Sequence, residues 1–202
     1  MSYRQFTTIE AVQESFGVRI TSAASLFADI PPIPISSRLQ DLLQEQTSLA
    51  LNINTEKARS ELIIAPVLVE LRRLLNHRIS LFSGIDFTVD SSKGLTGFCD
   101  YILSNSSDQI FLQAPVACLV EAKNENIRAG YGQCVAEMIA AHIFNERAGQ
   151  PVPYILGIIT TGSNWKFLRY QNQTVAIDFE EYLISQIDKI LGILVQMMRS
   201  LS

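Results

Sequence analysis

The run Val116-Ala117-Cys118-Leu119-Val120-Glu121-Ala122-Lys123 is apolar at every position until Glu121. Successive side chains of an extended chain point to opposite faces, so a strand of this kind needs cover above and below. It reads as a central strand that surfaces at its C-terminal end. Two strand-like runs precede it. Ile79 to Val89 passes into Ile85-Asp86-Phe87-Thr88-Val89-Asp90, where apolar and polar residues alternate, and Gly97 to Ser104 follows after a turn at Ser91–Gly94. Beyond the central run, Tyr154 to Thr161 is a further buried strand. The turn Thr161-Gly162-Ser163-Asn164 then sends Trp165 to Tyr170 back as its partner.

Helical spacing separates and flanks these runs. Thr55 opens a helix to about Leu75, with Leu62, Ile63, Val67, Leu68, Leu71, Leu74 and Leu75 on its apolar side. Pro66 inside it predicts a kink or a restart. Arg128 to Arg147 is a helix carrying the small residues Ala136, Ala140 and Ala141, closed by Gln150-Pro151-Val152-Pro153. From Glu180 a last helix places Tyr182, Leu183, Ile187, Ile190, Leu191, Leu194 and Met198 on one stripe. The order helix, three strands, helix, two strands, helix predicts a mixed α/β domain with one main sheet. Upstream, Thr8 caps a short helix, residues 23–28 form a turn of helix, and Ile30-Pro31-Pro32-Ile33-Pro34 must be extended. Ser36-Ser37 then cap an amphipathic helix through Leu39, Leu42, Leu43, Leu49 and Leu51. Residues 1–53 are therefore expected to be a helical extension packed on a domain spanning 54–202.

Composition narrows the function classes. No apolar run approaches the roughly 20 residues of a membrane span, and the N-terminus lacks the pattern of a secretory signal, so a cytoplasmic location is expected. Cys99, Cys118 and Cys134 form no CxxC pair and read as buried small hydrophobes. His77 and His142 sit on apolar helical patterns and suit core or helix-end roles. With 16 basic against 20 acidic residues, the net charge of -4 argues against a module that coats nucleic acid by charge alone.

One cluster carries chemistry. Asp100 interrupts the apolar strand Phe98-Cys99-Asp100-Tyr101-Ile102, and a buried carboxylate needs a partner or a metal. Glu121 and Lys123 end the next strand, two residues apart and so on one face. If the strands are neighbours, two carboxylates and an ammonium converge. That is a site for a hard divalent cation, with the Ala122 carbonyl as a further ligand and the lysine beside bound water. Taken alone, Glu-x-Lys at a strand end is more often an exposed ion pair. Asp86, Asp90 and the group Arg72, Arg73 and Arg78 are most simply solvated, and Trp165 and Phe167 are core residues. Asn124, Glu125 and Arg128 lie where a loop could touch a substrate.

With these residues the chain resembles the PD-(D/E)xK nuclease superfamily, whose core runs helix, three antiparallel strands, helix, strand. The signature aspartate matches Asp100, with Cys99 where proline often stands, and E-x-K matches Glu121-Ala122-Lys123. A first-helix glutamate matches Glu61, and the glutamine after E-x-K matches Gln133. The hairpin from Ile159 to Arg169 is similar to the Thr-x-Gly-x-x-Trp-x-Phe strand pair in N-terminal nuclease domains of type I restriction subunits. The resemblance covers roughly residues 56–172. It implies a restriction-endonuclease-like fold and phosphodiester hydrolysis in nucleic acid, expected to be DNA. Asp100 and Glu121 would hold Mg²⁺ or Mn²⁺, and Lys123 would orient or deprotonate water. Glu61 would serve a second metal, and Gln133 would orient the lysine or contact substrate.

Two alternatives accompany this reading. One is an inactive binding or assembly subunit of the same fold, which the acidic charge favours. The other is a scaffold in which Asp100, Glu121 and Lys123 merely pair. The apolar C-terminal helix suggests a homodimer in either case.

Overall fold

The structure is a computed structural model describing residues 2–23 and 25–201. In chain order it contains α1 (Ile9–Phe16), β1 (Arg19–Ala23), α2 (Ser37–Ile53), α3 (Glu56–Arg59), a π-helical turn (Ser60–Ile64) and α4 (Ala65–Leu74). There follow β2 (Ser80–Asp86), β3 (Phe98–Ser104), β4 (Val116–Ala122), α5 (Tyr131–Arg147), β5 (Ile155–Thr160), β6 (Asn164–Gln171), β7 (Thr174–Asp178), β8 (Tyr182–Leu183) and α6 (Ile187–Arg199).

All the strands join one mixed sheet in the order β1-β7-β6-β5-β4-β3-β2, with β8 added beside β6. β4 pairs antiparallel with β3 and parallel with β5, and α5 makes the crossover that a parallel pair requires. Helices cover both faces. Val135, Met138 and Ile139 of α5, with α1 and the residues before it, close one side. On the other side α2, α4 and α6 bury Leu39, Leu68, Leu71, Ile190 and Leu194. β4 is buried at all seven positions, as its two-faced apolar run demands. The far end of α5 fixes its start, because Asn145, fully buried, accepts from Val116 N at 2.7 Å and donates to Val116 O at 2.8 Å.

Several expectations need correction. The stretch 1–53 is not purely helical: β1 lies in the sheet, parallel to β7, with Arg19 opposite Thr174. The expected helical turn over 23–28 is a non-helical turn at 25–29, and Ala24 lies outside the described residues. The extended proline run packs along α6, where Lys189 Nζ donates to the carbonyls of Phe27 (2.7 Å), Ala28 (3.0 Å) and Ile30. β7 follows β6 through a tight turn at Asn172 and Gln173, both at positive φ, which no glycine advertises. Tyr182 and Leu183 belong to β8 rather than to the last helix. Tyr182 pairs with Trp165, and its hydroxyl donates to Asp178 Oδ2 at 3.1 Å.

The helix expected from Thr55 to Leu75 is broken as Pro66 implies. Pro66 cannot donate to the carbonyl four residues back, and the turn before it widens so that Ala65 N reaches Ser60 O. The apolar residues of α6 that suggested a dimer, from Ile187 to Met198, are buried in the core of the chain itself. Among the described residues no helix is long and apolar enough to cross a membrane.

Candidate functional site

The β3–β4 ladder brings the predicted carboxylates together. Tyr101 stands opposite Val120, so one step further Asp100 stands opposite Glu121 on the same face. There the backbone pairing stops and the Asp100 side chain replaces it, Oδ2 accepting from Ala122 N at 2.8 Å. A strand residue turns its amide and carbonyl to the same side, so the Ala122 carbonyl also faces Asp100. Lys123 Nζ closes onto Glu121 Oε1, and Gln133 Nε2 donates to Glu121 Oε2 at 2.9 Å. Asp100, Glu121, Lys123 and Gln133 thus form one connected group at the C-terminal end of β4.

The surroundings make this group electrostatically tense. Glu121 is 1% exposed, and burial, then the charge of Asp100, push its carboxyl up to about 8 against the opposing pull of Lys123. Burial also raises Asp100, with the Ala122 amide, Lys123 and Arg4 pulling the other way. Arg4 lies in the short turn before α1. That segment presses on the first turn of α5 closely enough that a Cβ at Gly132 would lie 2.2 Å from Phe6 O. Gly130 serves the same closeness at the site itself. A Cβ there would lie 2.7 Å from Ile159 Cγ2, 3.3 Å from Lys123 Cε and 3.5 Å from Glu121 Cγ.

Glu137 was missed by the sequence reading. It lies one helical turn after Gln133 and is fully buried, accepting from Gln133 Nε2 at 3.1 Å. Its carboxyl lies against the Cys99 thiol, whose hydrogen bond pulls its pKa down against the effect of burial. Burial, then the nearby charge of Glu121, raises its pKa well above the usual carboxyl range. A glutamate at helical spacing on a helix buried nearly all round was the available signal.

Glu61 is not brought to the group. It sits in the π turn, lines a groove with Arg38, Leu62 and Pro66, and pairs with Lys57 at 3.7 Å with both side chains largely exposed. The charge from this region that acts on Glu121 and Lys123 is that of Glu56 in α3. The π turn instead ties itself to β3 beside Asp100. Ser60 Oγ lies 2.6 Å from the Tyr101 hydroxyl, which donates to Ser60 O at 3.0 Å.

The remaining candidates take structural places. Asp90 pairs with Lys93 and Arg147. Arg73 binds Glu70 through two nitrogens at 2.9 and 2.6 Å, and Arg72 donates to Ile79 O. Trp165, Phe167 and the three free cysteines are buried.

The donor set suits a small hard cation. Asp100 has an oxygen beyond the one spent on Ala122, the carbonyl of Ala122 is turned towards it, and the burial and then the repulsion from Asp100 that raise Glu121 are what a divalent charge would offset. Among the described residues no three His, Cys, Asp or Glu side chains form a metal cage. Mg²⁺ suits so small a set because it retains several of its waters. No protein-family model matches the chain, and no curated protein matches it.

Proposed function

We propose that the chain is a metal-dependent nuclease of the PD-(D/E)xK type, with a restriction-endonuclease-like core, that hydrolyses phosphodiester bonds in nucleic acid, DNA being the expected substrate. The observation that carries this reading is the meeting of Asp100, Glu121 and Lys123 on one face where the β3–β4 ladder ends, with Gln133 bonded to the buried Glu121. Asp100, Glu121 and the Ala122 carbonyl would hold Mg²⁺ or Mn²⁺, which would supply a polarised water and neutralise charge on the phosphate.

The protein's own groups do the rest. Gln133 holds Oε2 of Glu121, fixing the carboxylate plane. Lys123 closes onto Glu121 Oε1, the oxygen a cation held by Glu121 would share, so the contact would open with the site filled. Its ammonium is then free to orient the attacking water and stabilise charge developing on the phosphate.

A second reading, an inactive binding or assembly subunit of the same fold, draws on the closed Lys123–Glu121 contact and the net charge of -4. Calorimetric titration with Mn²⁺ separates them when wild type is compared with Asp100→Asn, followed by cleavage assays on single- and double-stranded DNA and RNA. The nuclease reading expects saturable binding lost in Asp100→Asn, and cleavage lost in Lys123→Ala while metal still binds. Absence of both binding and cleavage in the wild type would sink it in favour of the binding subunit.

A further inference from the structure

A cavity of about 490 Å³ lies between α1, β1, the end of β7 and the start of α5, with Lys166, Arg128, Tyr131, Thr8 and Phe179 among its walls. The sheet register relates it to the carboxylates. Glu121 stands opposite Ile159, and Ile159 stands opposite Lys166. Ile159 and Leu168 pack in the core on the α5 side of the sheet, so Lys166, two residues before Leu168, points to that side as well. Glu121 and Lys166 thus share one row on one face, about 10 Å apart across two strand spacings.

Lys166 is a buried cation, 7% exposed. Its Nζ donates to Phe179 O at 2.8 Å and enters no ion pair among the described residues. An ammonium has three donors, so capacity remains for a ligand. Asp178 also lines the cavity, but its carboxylate is taken up by Leu26 N at 3.1 Å, Glu180 N at 3.3 Å and the Tyr182 hydroxyl at 3.1 Å. Glu10 is exposed and pairs with neither Lys166 nor Arg128. Arg128 is exposed, and its charge acts on Tyr131 in the same wall. A buried charge without a counter-ion is costly. Water or a neutral amide would leave that charge uncompensated, whereas an anion would cancel it.

The spacing selects the anion. A nucleic-acid strand carries one charge per roughly 3.4 Å of rise, so about 10 Å spans about three phosphates. A strand whose scissile phosphate lies at Glu121 brings another phosphate to Lys166. We propose that Lys166, with Arg128 in the same cavity wall, binds a backbone phosphate of the substrate strand within about three nucleotides of the scissile one. This rests on the nuclease reading for the scissile phosphate, but not for the binding itself.

The test is made without metal, in EDTA, so that nothing is cleaved. A labelled DNA strand, the same strand with uncharged methylphosphonate linkages, inorganic phosphate and acetate are titrated against wild type, Lys166→Met and Lys166→Gln. Strand binding is read by fluorescence anisotropy over a salt series, and the small anions by the NMR resonances of the Lys166 side chain. Both variants should bind the natural strand about tenfold more weakly, and the slope of log affinity against log salt should fall by about 0.7, the share of one phosphate. The methylphosphonate strand should bind all three proteins alike, which separates a lost phosphate contact from a loss of stability. Phosphate should shift the Lys166 resonances at lower concentration than acetate. An unaltered affinity and slope in the variants, an equal loss with the methylphosphonate strand, acetate bound as well as phosphate, or no binding of the natural strand would overturn it. Loss of affinity and slope in the variants, with no cleavage by wild type under Mn²⁺, would keep the phosphate anchor and remove the nuclease. Cleavage with unaltered strand binding in the variants would do the reverse.

Discussion

Gly130→Ala is the sharpest probe of how tightly α5 presses on the carboxylate–lysine group. The backbone at Gly130 has φ -89 and ψ -14, a conformation alanine adopts freely, so any penalty is steric. The added methyl would lie 2.7 Å from Ile159 Cγ2, about 1 Å inside ordinary carbon contact. Ile159 is fully buried in β5 and cannot swing away. Overpacking of this kind costs about 1–3 kcal/mol. The lower entropy of the unfolded chain returns about 0.4–1 kcal/mol, leaving, from the middle of each range, a net loss of about 1.3 kcal/mol. For a chain of this length the melting temperature should fall by about 3–5 °C, measured by calorimetry. The cause is isolated by a double-mutant cycle. Ile159→Ala is itself destabilising, but Gly130→Ala added to it should then stabilise by the entropy term alone, a coupling equal to the overpacking cost of about 1–3 kcal/mol. A neutral Gly130→Ala, or the same penalty in both backgrounds, would refute the packing argument.

Other outcomes follow from the same geometry. Glu121 holds its proton more tightly in the native chain than at the ordinary value of 4.5, so in EDTA stability should fall as pH rises from 4.5 to about 8. Glu121→Gln should flatten that slope in thermal scans, and parallel curves for the two proteins would count against the shift. Because burial favours the uncharged form of Glu137, the near-isosteric Glu137→Gln should cost under about 1.5 kcal/mol in urea unfolding at pH 7. A gain in stability at pH 7 would mean that it is ionised there, because the variant would then remove a buried charge that has no counter-ion. Asn145→Ala strands both polar groups of Val116, and a loss of about 2–4 kcal/mol is expected in the same assay. A loss under 1 kcal/mol would mean that other groups satisfy Val116.

What the sequence makes legible follows physical contrast. β4 and β5 are buried on both faces, so their runs are unbroken, and α5 ends at a Gly-Gln-Pro break that any helix would respect. The convergence of Asp100 with Glu121 follows from adjacency of two well-patterned strands. β1 is invisible for the opposite reason: Arg19, Thr21 and Ser22 are exposed on an edge strand whose partner is distant in sequence. Tyr182 and Leu183 fall at helical spacing with Ile187, and only the pairing of Tyr182 with Trp165 decides against a helix. Glu61 and Glu56 lie on one helical pattern. Which of them approaches the carboxylates depends on the π turn that Pro66 entails, a departure from 3.6 residues per turn that no periodicity reveals. Glu137 looks like a solvated residue until α5 is seen covered on nearly every side.

The pairing of β1 with β7 sets an order of assembly. Arg19 meets Thr174 across 155 positions, whereas Tyr101 meets Val120 across 19. Closing the longer loop costs about 2 kcal/mol more in chain entropy. The strands that carry Asp100 and Glu121 can therefore zip before the chain's beginning finds its edge, and β1 joins as a late clasp. The same clasp should be the first to loosen, and its amides should exchange with solvent through a local opening that leaves β3 and β4 paired. The segment lying over Gly132 keeps its own anchors when β1 opens, because Tyr3 is fully buried, its amide donating to Thr96 O at 2.9 Å and its hydroxyl to Phe87 O at 2.6 Å. The wall over the carboxylates is thus held by a buried tyrosine and its two bonds, and a frayed edge strand leaves it in place.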